Sequence, residues 1–523
     1  MMNKAQETMR GCACCAMNRR QFLASCAACA AGAGGLGLLS PKRAAAADAT
    51  AGKPRIKLVY LHIPSDRPIW PNIGYDFDKR KKELTQKLTA ACPGIELQPA
   101  TVMNADEAKK LIESDPGVDG YVLYVVGIWT GAAHVLTGTG KPAVLVDDLY
   151  AGSGEFLIAN AAARRAGQKV VGVSSARFAD VADVVRCFEV LKRPGATADD
   201  FLAAANAARK KGFARPGDLK CIADKVTASD PSEVLRRLKE STILVVGAWH
   251  EQFASSIRDS FGPKVLKIEF AELHNAYEKA DRDEAAQWAD RWIGAADKMI
   301  EPTRDEICRS GAMYLAMKGL LAKHNAQAIT INCLGGFYGG HIKAYPCLGF
   351  TQLNNDGLIG ACEADQISTI SMLTMNYLID RPGYISDPVI DTSTNQIIYA
   401  HCVAPTKVFG PKGRSNPYHI RNHSEDRKGA VVRSLLPLGY MTTTLEFHPV
   451  HKKVILHQGK AVANIDEDKA CRTKLAVEVK GDIDKLMSEW DQWGWHRVTV
   501  YGDVKEPVAQ MADALKLKVL EEA

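Results

Sequence analysis

The chain has 523 residues, of which 46% are hydrophobic and 24% charged, and a formal net charge of +6 at pH 7. At roughly 100 to 200 residues per domain this is about three domains, and a composition near the globular average excludes a disordered chain and a bundle of membrane helices. The slight positive balance is no footprint for nucleic acid.

At the N-terminus, Asn18-Arg19-Arg20-Gln21-Phe22-Leu23 is followed by an Ala/Gly-rich apolar run to Leu39, then by Lys42-Arg43 and an Ala-rich stretch. This order resembles a twin-arginine export signal over residues 1–48, cleaved near Ala44 to Ala49. The run is too short and too glycine-rich for a stable transmembrane helix. Cys26 precedes most of it, so lipidation is not expected. The resemblance implies handling by the twin-arginine translocase, folding before export and a periplasmic or otherwise exported product. Removing residues 1–48 takes away six Lys/Arg and two Asp/Glu, so the charge falls to +2, and nine of 14 cysteines stay. They include no C-x-x-C pair, which is not a disulfide framework.

From Arg55 the apolar runs "IKLVYLH", "GYVLYVV", "KPAVLVDD" and "KVVGVSS" alternate with amphipathic stretches such as "FDKRKKELTQKLTAAC". Short continuous apolar runs alternating with helical periods predict a parallel sheet flanked by helices, here a first α/β domain over 54–172. Gly138-Thr139-Gly140 and Gly152-Ser153-Gly154 lack a G-x-G-x-x-G frame and read as turns. A second α/β domain over 173–345 has "STILVVGAWH", "KVLKIEF" and "AQAITINC" as strands and helices near 198–211, 283–299 and 302–323. Beyond Asn332 helices become scarce and turn-rich strands dominate. The fold class is therefore α/β: two doubly wound α/β domains, then a strand-rich, mostly antiparallel C-terminal domain over 346–523, with the candidate site at its junction with the central domain. The last stretch returns to strand, helix and strand.

The candidate chemistry centres on "GACEADQISTISMLTM". Ile367 through Leu378 predict a buried helix, with Glu363 and Asp365 at its first turn, where carboxylates favour the helix dipole. Asp365 reads as the cap. Asp387, in "GYISDPVID", faces His401 across a hairpin if the turn centres on Thr394, because directly opposed residues share a face. Apolar neighbours make that hairpin buried, where a lone carboxylate is costly and calls for a cation. Two carboxylates and an imidazole are ligands suited to Mn²⁺ or a similar ion, and His496 in "WGWHRVTVYGD" could complete the set.

The stretch "ACEADQISTISMLTMNYLIDRPGYISDPVIDTSTNQIIYAHCVAPT" resembles the metal-site segment of the L-fucose and L-arabinose isomerase superfamily. The resemblance implies Glu363 and Asp387 as acidic ligands and His401 and His496 as histidine ligands of a divalent metal, most simply Mn²⁺. It also implies an aldose-ketose isomerase acting on a pentose, hexose or 6-deoxy sugar by an ene-diol route, with Glu363 and Asp387 moving protons, in a homo-trimer or homo-hexamer. The Ala-Cys-Glu-Ala-Asp context and the export signal depart from that pattern. A non-catalytic exported sugar-binding protein and a metal-assisted hydrolase are the alternatives.

Further candidates are His419, Arg421, His423 and Glu425, equally a solvated loop or contacts for sugar hydroxyls, and Trp493 and Trp495, of which at least one is expected in the core. His448, His451 and His457 read as an edge-like, Lys-rich hairpin without metal. Trp129 is as well explained by packing as by reach into a neighbouring subunit's pocket.

Overall fold

The computed structural model describes residues 52–523, so the export segment read at residues 1–48 lies outside the described residues. Strands β1 (Arg55–Leu61), β2 (Glu96–Val102), β3 (Gly120–Val125), β4 (Ala143–Asp147) and β5 (Val170–Val173) form one sheet in the order β2-β1-β3-β4-β5. All its pairings are parallel. The continuous apolar runs follow from burial on both faces. Ile56, Leu58 and Tyr60 of β1 pack with Leu84 and Leu88 on one side, while Val59 and Leu61 join Leu136 and Phe156 on the other.

The second sheet holds β6 (Thr242–Val246) and β7 (Lys264–Ile268). A two-residue β8 (Lys298–Met299) pairs elsewhere, and β9 (Ala328–Ile331) and β10 (Ile359–Ala361) complete the order β10-β9-β6-β7. These pairings are also parallel. Because β10 lies beyond residue 345, this sheet draws on residues that the sequence reading gave to the C-terminal unit. The turn-rich texture after Asn332 also conceals two short helices, Cys333–Tyr338 and Cys347–Asn355, before the expected buried helix at Gln366–Ile379. All residues of that last helix are buried, which is why it shows no polar stripe.

In the C-terminal region, β11 (Tyr384–Asp391) and β12 (Gln396–His401) form a hairpin. Next, β13 (Tyr418–Arg421) and β14 (Val431–Ser434) pair beside β8. Strands β15 (Met441–His448), β16 (Lys453–Asn464), β17 (Thr473–Lys480) and β18 (Arg497–Tyr501) join the hairpin in the order β15-β18-β11-β12-β17-β16. Strand β16 pairs back to β15, so the sheet closes into a six-stranded antiparallel barrel. Strand β19 (Lys518–Glu521) adds to β16 in parallel.

The β15–β16 hairpin is therefore no edge. Its long second strand meets β15 on one side and β19 and β17 in succession on the other, and His448 and His457 are buried.

One face of the barrel strands packs Ile385, Val389, Ile398, Leu445 and Val498 with the Gln366–Ile379 helix. Successive side chains alternate, so Arg497, beside Val498, takes the other face, where it is wholly buried. Its Nη2 donates to Glu522 Oε1 at 2.7 Å. Glu522 Oε2 lies 3.1 Å from His457 Nδ1, and His457 Nε2 lies 2.6 Å from the Tyr399 hydroxyl. Burial pushes the Glu522 carboxyl up, but the Arg497 charge and the His457 hydrogen bond hold it down to about 2.

Candidate active site

The site forms where the carboxyl ends of β9 and β10 meet the barrel, a position where open parallel sheets leave a crevice. Just past β10, Glu363 and Ala364 both take left-handed backbone conformations, φ 61° and 53°. Such geometry costs a non-glycine residue about 1 kcal/mol or more and persists only where the surroundings enforce it. Here the Ala364 N–H is tied to the Ile331 carbonyl at 2.9 Å, and Glu363 turns into a pocket. Asp365 follows as the helix cap, accepting from the N–H groups of Ile367 and Ser368 at 3.0 and 2.9 Å.

Asp387 sits on β11 opposite Ala400, not His401 as read from the sequence. Asp391 pairs with Gln396, so the turn spans 392–395 and the hairpin centre falls between Ser393 and Thr394. His401, last in β12, nevertheless reaches the same place from the neighbouring position. Ligand atoms of Asp387, His401 and His496 all lie within 4.8 Å of one another. Glu363 adds two approaches, Oε1 at 3.7 Å from His401 Nε2 and Oε2 at 3.6 Å from His496 Nε2. The structure thus brings all four candidate residues together.

The two histidines differ in what they offer. His496 Nδ1 donates to Asp365 Oδ2 at 2.9 Å, which fixes the tautomer and leaves Nε2 facing the carboxylates. That Nε2 is 3.3 Å from Asp387 Oδ1, yet it is a buried atom without an aligned hydrogen bond. Asp365 is therefore both a helix cap and the orienting partner of His496, a second task its sequence position does not disclose. His401 Nδ1 accepts the Cys402 N–H at 3.0 Å, which places the proton of a neutral ring on Nε2. Burial lowers the His401 pKa to about 4, so the ring is neutral. Its Nε2 is also without a hydrogen-bond partner.

Around His496 the carboxylates dominate. Burial works against its charge, but Asp365 and Asp387 raise its pKa well above the usual histidine range. Burial likewise pushes Asp387 up, and His496 and the Trp495 indole, which donates at 2.7 Å, hold it below the ordinary carboxylate range. Three acids facing one imidazolium leave an excess of negative charge, and an orphaned ring nitrogen points among them. This donor set suits a divalent cation. Glu363, Asp387 and His496 fit as its holders, with His401 alongside.

The pocket wall includes residues the sequence reading missed. Trp70, Ile128 and Gly154 come from the first α/β region, and Trp129, weighed for a neighbour's pocket, lines the pocket of its own chain. Of the "NPYHIRNHSEDRKGA" candidates, His423 and Glu425 line it. His419 instead lies 3.4 Å from Arg433, and Arg421 pairs with Glu301. Burial pushes the Glu425 carboxyl up to about 8, and the Tyr338 hydroxyl lies 3.1 Å from it. Burial pulls His423 down, but its partner Asp426 and nearby acidic groups raise it to about 9. Trp495 lines the pocket, whereas Trp493 packs against His451 and Lys453.

No protein-family profile matches the chain. Among curated proteins it is similar to the sulfoquinovose isomerase of Alkalicoccus urumqiensis, 22% identical over 302 residues, covering 55% of this chain and 66% of that protein. It is also similar to the sulfoquinovose isomerase of Priestia megaterium, 24% identical over 305 residues, with 54% and 65% covered. The matched segment thus spans just under two thirds of the length of these relatives.

Proposed function

We propose that the protein is a metal-dependent aldose-ketose isomerase, with Mn²⁺ or a similar ion, acting on a pentose, a hexose or a 6-deoxy sugar. The observation that carries the reading is the convergence of four residues: Asp387, His401 and His496 offer ligand atoms within 4.8 Å of one another, Glu363 approaches both rings, and Glu363, Asp387 and His401 line a pocket. The similarity to proteins named sulfoquinovose isomerase supports the reaction class and adds 6-sulfonated sugars to the candidates.

Isomerisation moves a proton between C1 and C2, which needs an acid and a base within hydrogen-bond reach. Glu363 and Asp387 enter the pocket from different elements, so each can hold a proton on its own side of a sugar bound between them. Asp387, kept ionised chiefly by His496 and fixed in place by the Trp495 indole, serves as acceptor. Glu425, protonated at neutral pH, and His423 present N–H and O–H donors to sugar hydroxyls. Trp70, Trp129 and Trp495 offer apolar faces to the sugar ring and exclude water. Glu363, Asp387 and His496 would hold a divalent ion, which would supply a Lewis acid to the substrate.

The test is a panel of pentoses, hexoses, 6-deoxy and 6-sulfo sugars, incubated with protein and Mn²⁺ in deuterated water and followed by NMR. Exchange at C2 with ketose formation is expected for at least one sugar. Bound metal with no exchange on any sugar would overturn the reading and favour a binding protein or a hydrolase. Export by the twin-arginine route and a trimer or hexamer are proposed with it, supported by the pattern at residues 18–49 and by the superfamily resemblance. Undiminished export of an Arg19→Lys, Arg20→Lys protein, or a monomer by light scattering, would remove them.

A further inference from the structure

Five of the nine cysteines among the described residues, Cys333, Cys347, Cys362, Cys402 and Cys471, line the pocket. None belongs to the candidate proton-transfer pair, and two of them meet at their sulfurs. The Cys333 and Cys362 sulfurs are 3.0 Å from each other. We propose that Cys333 and Cys362 are a reversible disulfide pair, an oxidative modification site in the pocket wall.

The sheet imposes the approach. Strands β9 and β10 are parallel neighbours with Ala361 opposite Thr330, and adjacent strands lie about 4.8 Å apart. Cys362 is the first residue past β10, and Cys333 opens the helix that follows β9. Both thiols therefore leave the same end of the same sheet, held by backbone that is itself hydrogen-bonded. Forming the bond needs about 1 Å of further approach, to the 2.03–2.05 Å of a disulfide. Both residues are buried in the fold, at 2% and 4% exposure, but they face the pocket, through which a small oxidant arrives.

With a peroxide as oxidant the step balances. One thiol, giving up its proton, attacks a peroxide oxygen; the O–O bond breaks, leaving a sulfenic acid and one water. The second thiol attacks that sulfur; the S–S bond forms, the S–O bond breaks and a second water leaves. Two thiols lose two electrons, and hydrogen peroxide becomes two waters. A dithiol reverses the step by exchange. Closure pins the residue directly before Glu363, and so the left-handed turn that presents it, without consuming any of the four candidate ligands. The inference needs only thiols and an oxidant, so it stands whether or not the isomerase reading does.

The test treats the full-length protein with hydrogen peroxide, digests it under non-reducing conditions and maps cross-links by mass spectrometry. A Cys333–Cys362 cross-link, 2 Da lighter than the two reduced peptides and reversed by dithiothreitol, is expected. Cys333→Ser and Cys362→Ser, each checked for a native circular dichroism spectrum, lack it. A cross-link between Cys402 and Cys471 in its place, irreversible sulfinic acids without a cross-link, or unchanged thiols would each overturn the proposal.

Discussion

Asp147 in the five-stranded sheet and Glu522 against the six-stranded barrel are two buried carboxyls kept in opposite ways. Within the strands of the sheet, Asp147 is buried and in no salt bridge among the described residues; its Oδ2 accepts from the Ser153 and Ser174 hydroxyls and its Oδ1 has no hydrogen-bond partner. Burial pushes its pKa up to about 7, so the group is kept by protonation. The barrel keeps Glu522 by pairing it with Arg497 and His457, and there the shift is downward. A surface that pairs its charges can hold several of them close together. That is the condition a cluster such as Glu363, Asp365, Asp387 and His496 requires, and the cluster lies against the barrel.

The largest expected effect lies in that cluster. Glu363→Gln and Asp387→Asn should each abolish stoichiometric Mn²⁺ binding, read by metal analysis of the purified protein, with the fold retained. Asp365→Asn should weaken metal affinity by roughly 10- to 100-fold, the usual loss when the partner that orients a ligand is removed. Retained affinity in Asp365→Asn would reduce that residue to a cap, and full metal binding in the first two variants would end the reading of the cluster as a cation site.

Next in size is the barrel pair. Arg497→Met leaves Glu522 buried without its cation and should cost about 3–5 kcal/mol in urea unfolding. Arg497→Met combined with Glu522→Leu should recover much of that, because the loss comes from an uncompensated charge and not from lost contacts. If the double variant is no better than the single one, pairing is not what keeps Glu522 buried.

Smaller is the pH response, where the two carboxyls should differ in sign. Glu522, depressed in the fold, contributes stability that is present above its unfolded value near 4.3 and is lost as pH falls towards about 2. Asp147, raised in the fold, contributes stability that is full below about 3.9 and is lost as pH rises through about 7. Each effect is on the order of 4 kcal/mol or less. Denaturant midpoints against pH should show Glu522→Gln flattening the acid limb and Asp147→Asn removing a fall in stability between about pH 4 and about pH 7. The same limb changing in both variants would contradict the contrast.

The two parallel sheets were legible because strands covered on both faces read as continuous apolar runs, and Leu58, Val122 and Leu244 need no knowledge of their partners to be placed. Barrel closure was not, because it depends on β16 choosing partners on both sides, and the Lys-rich start of that strand reads as an edge. Glu363, Asp387, His401 and His496 were legible through resemblance, since spacing alone would not have chosen among 13 histidines. The hairpin register missed by one residue because a four-residue turn and an odd-numbered one differ by no sequence signal in "DTSTN". The thiol wall left no trace, because its cysteines come from separate elements and no short spacing marks them.

The place of β18 has a consequence for synthesis. It lies between β15 and β11, and the carboxylate that neutralises its Arg497 comes 25 residues later in the chain. A ribosome delivers both parallel sheets whole before it delivers His496. Domains made first fold first, so for that interval the nascent protein carries β11 with one edge unpaired and the helix Gln366–Ile379 without the part of its cover that β18 supplies. Self-association at that edge is the hazard, and a holdase chaperone is the natural guard for as long as the last strands are being translated.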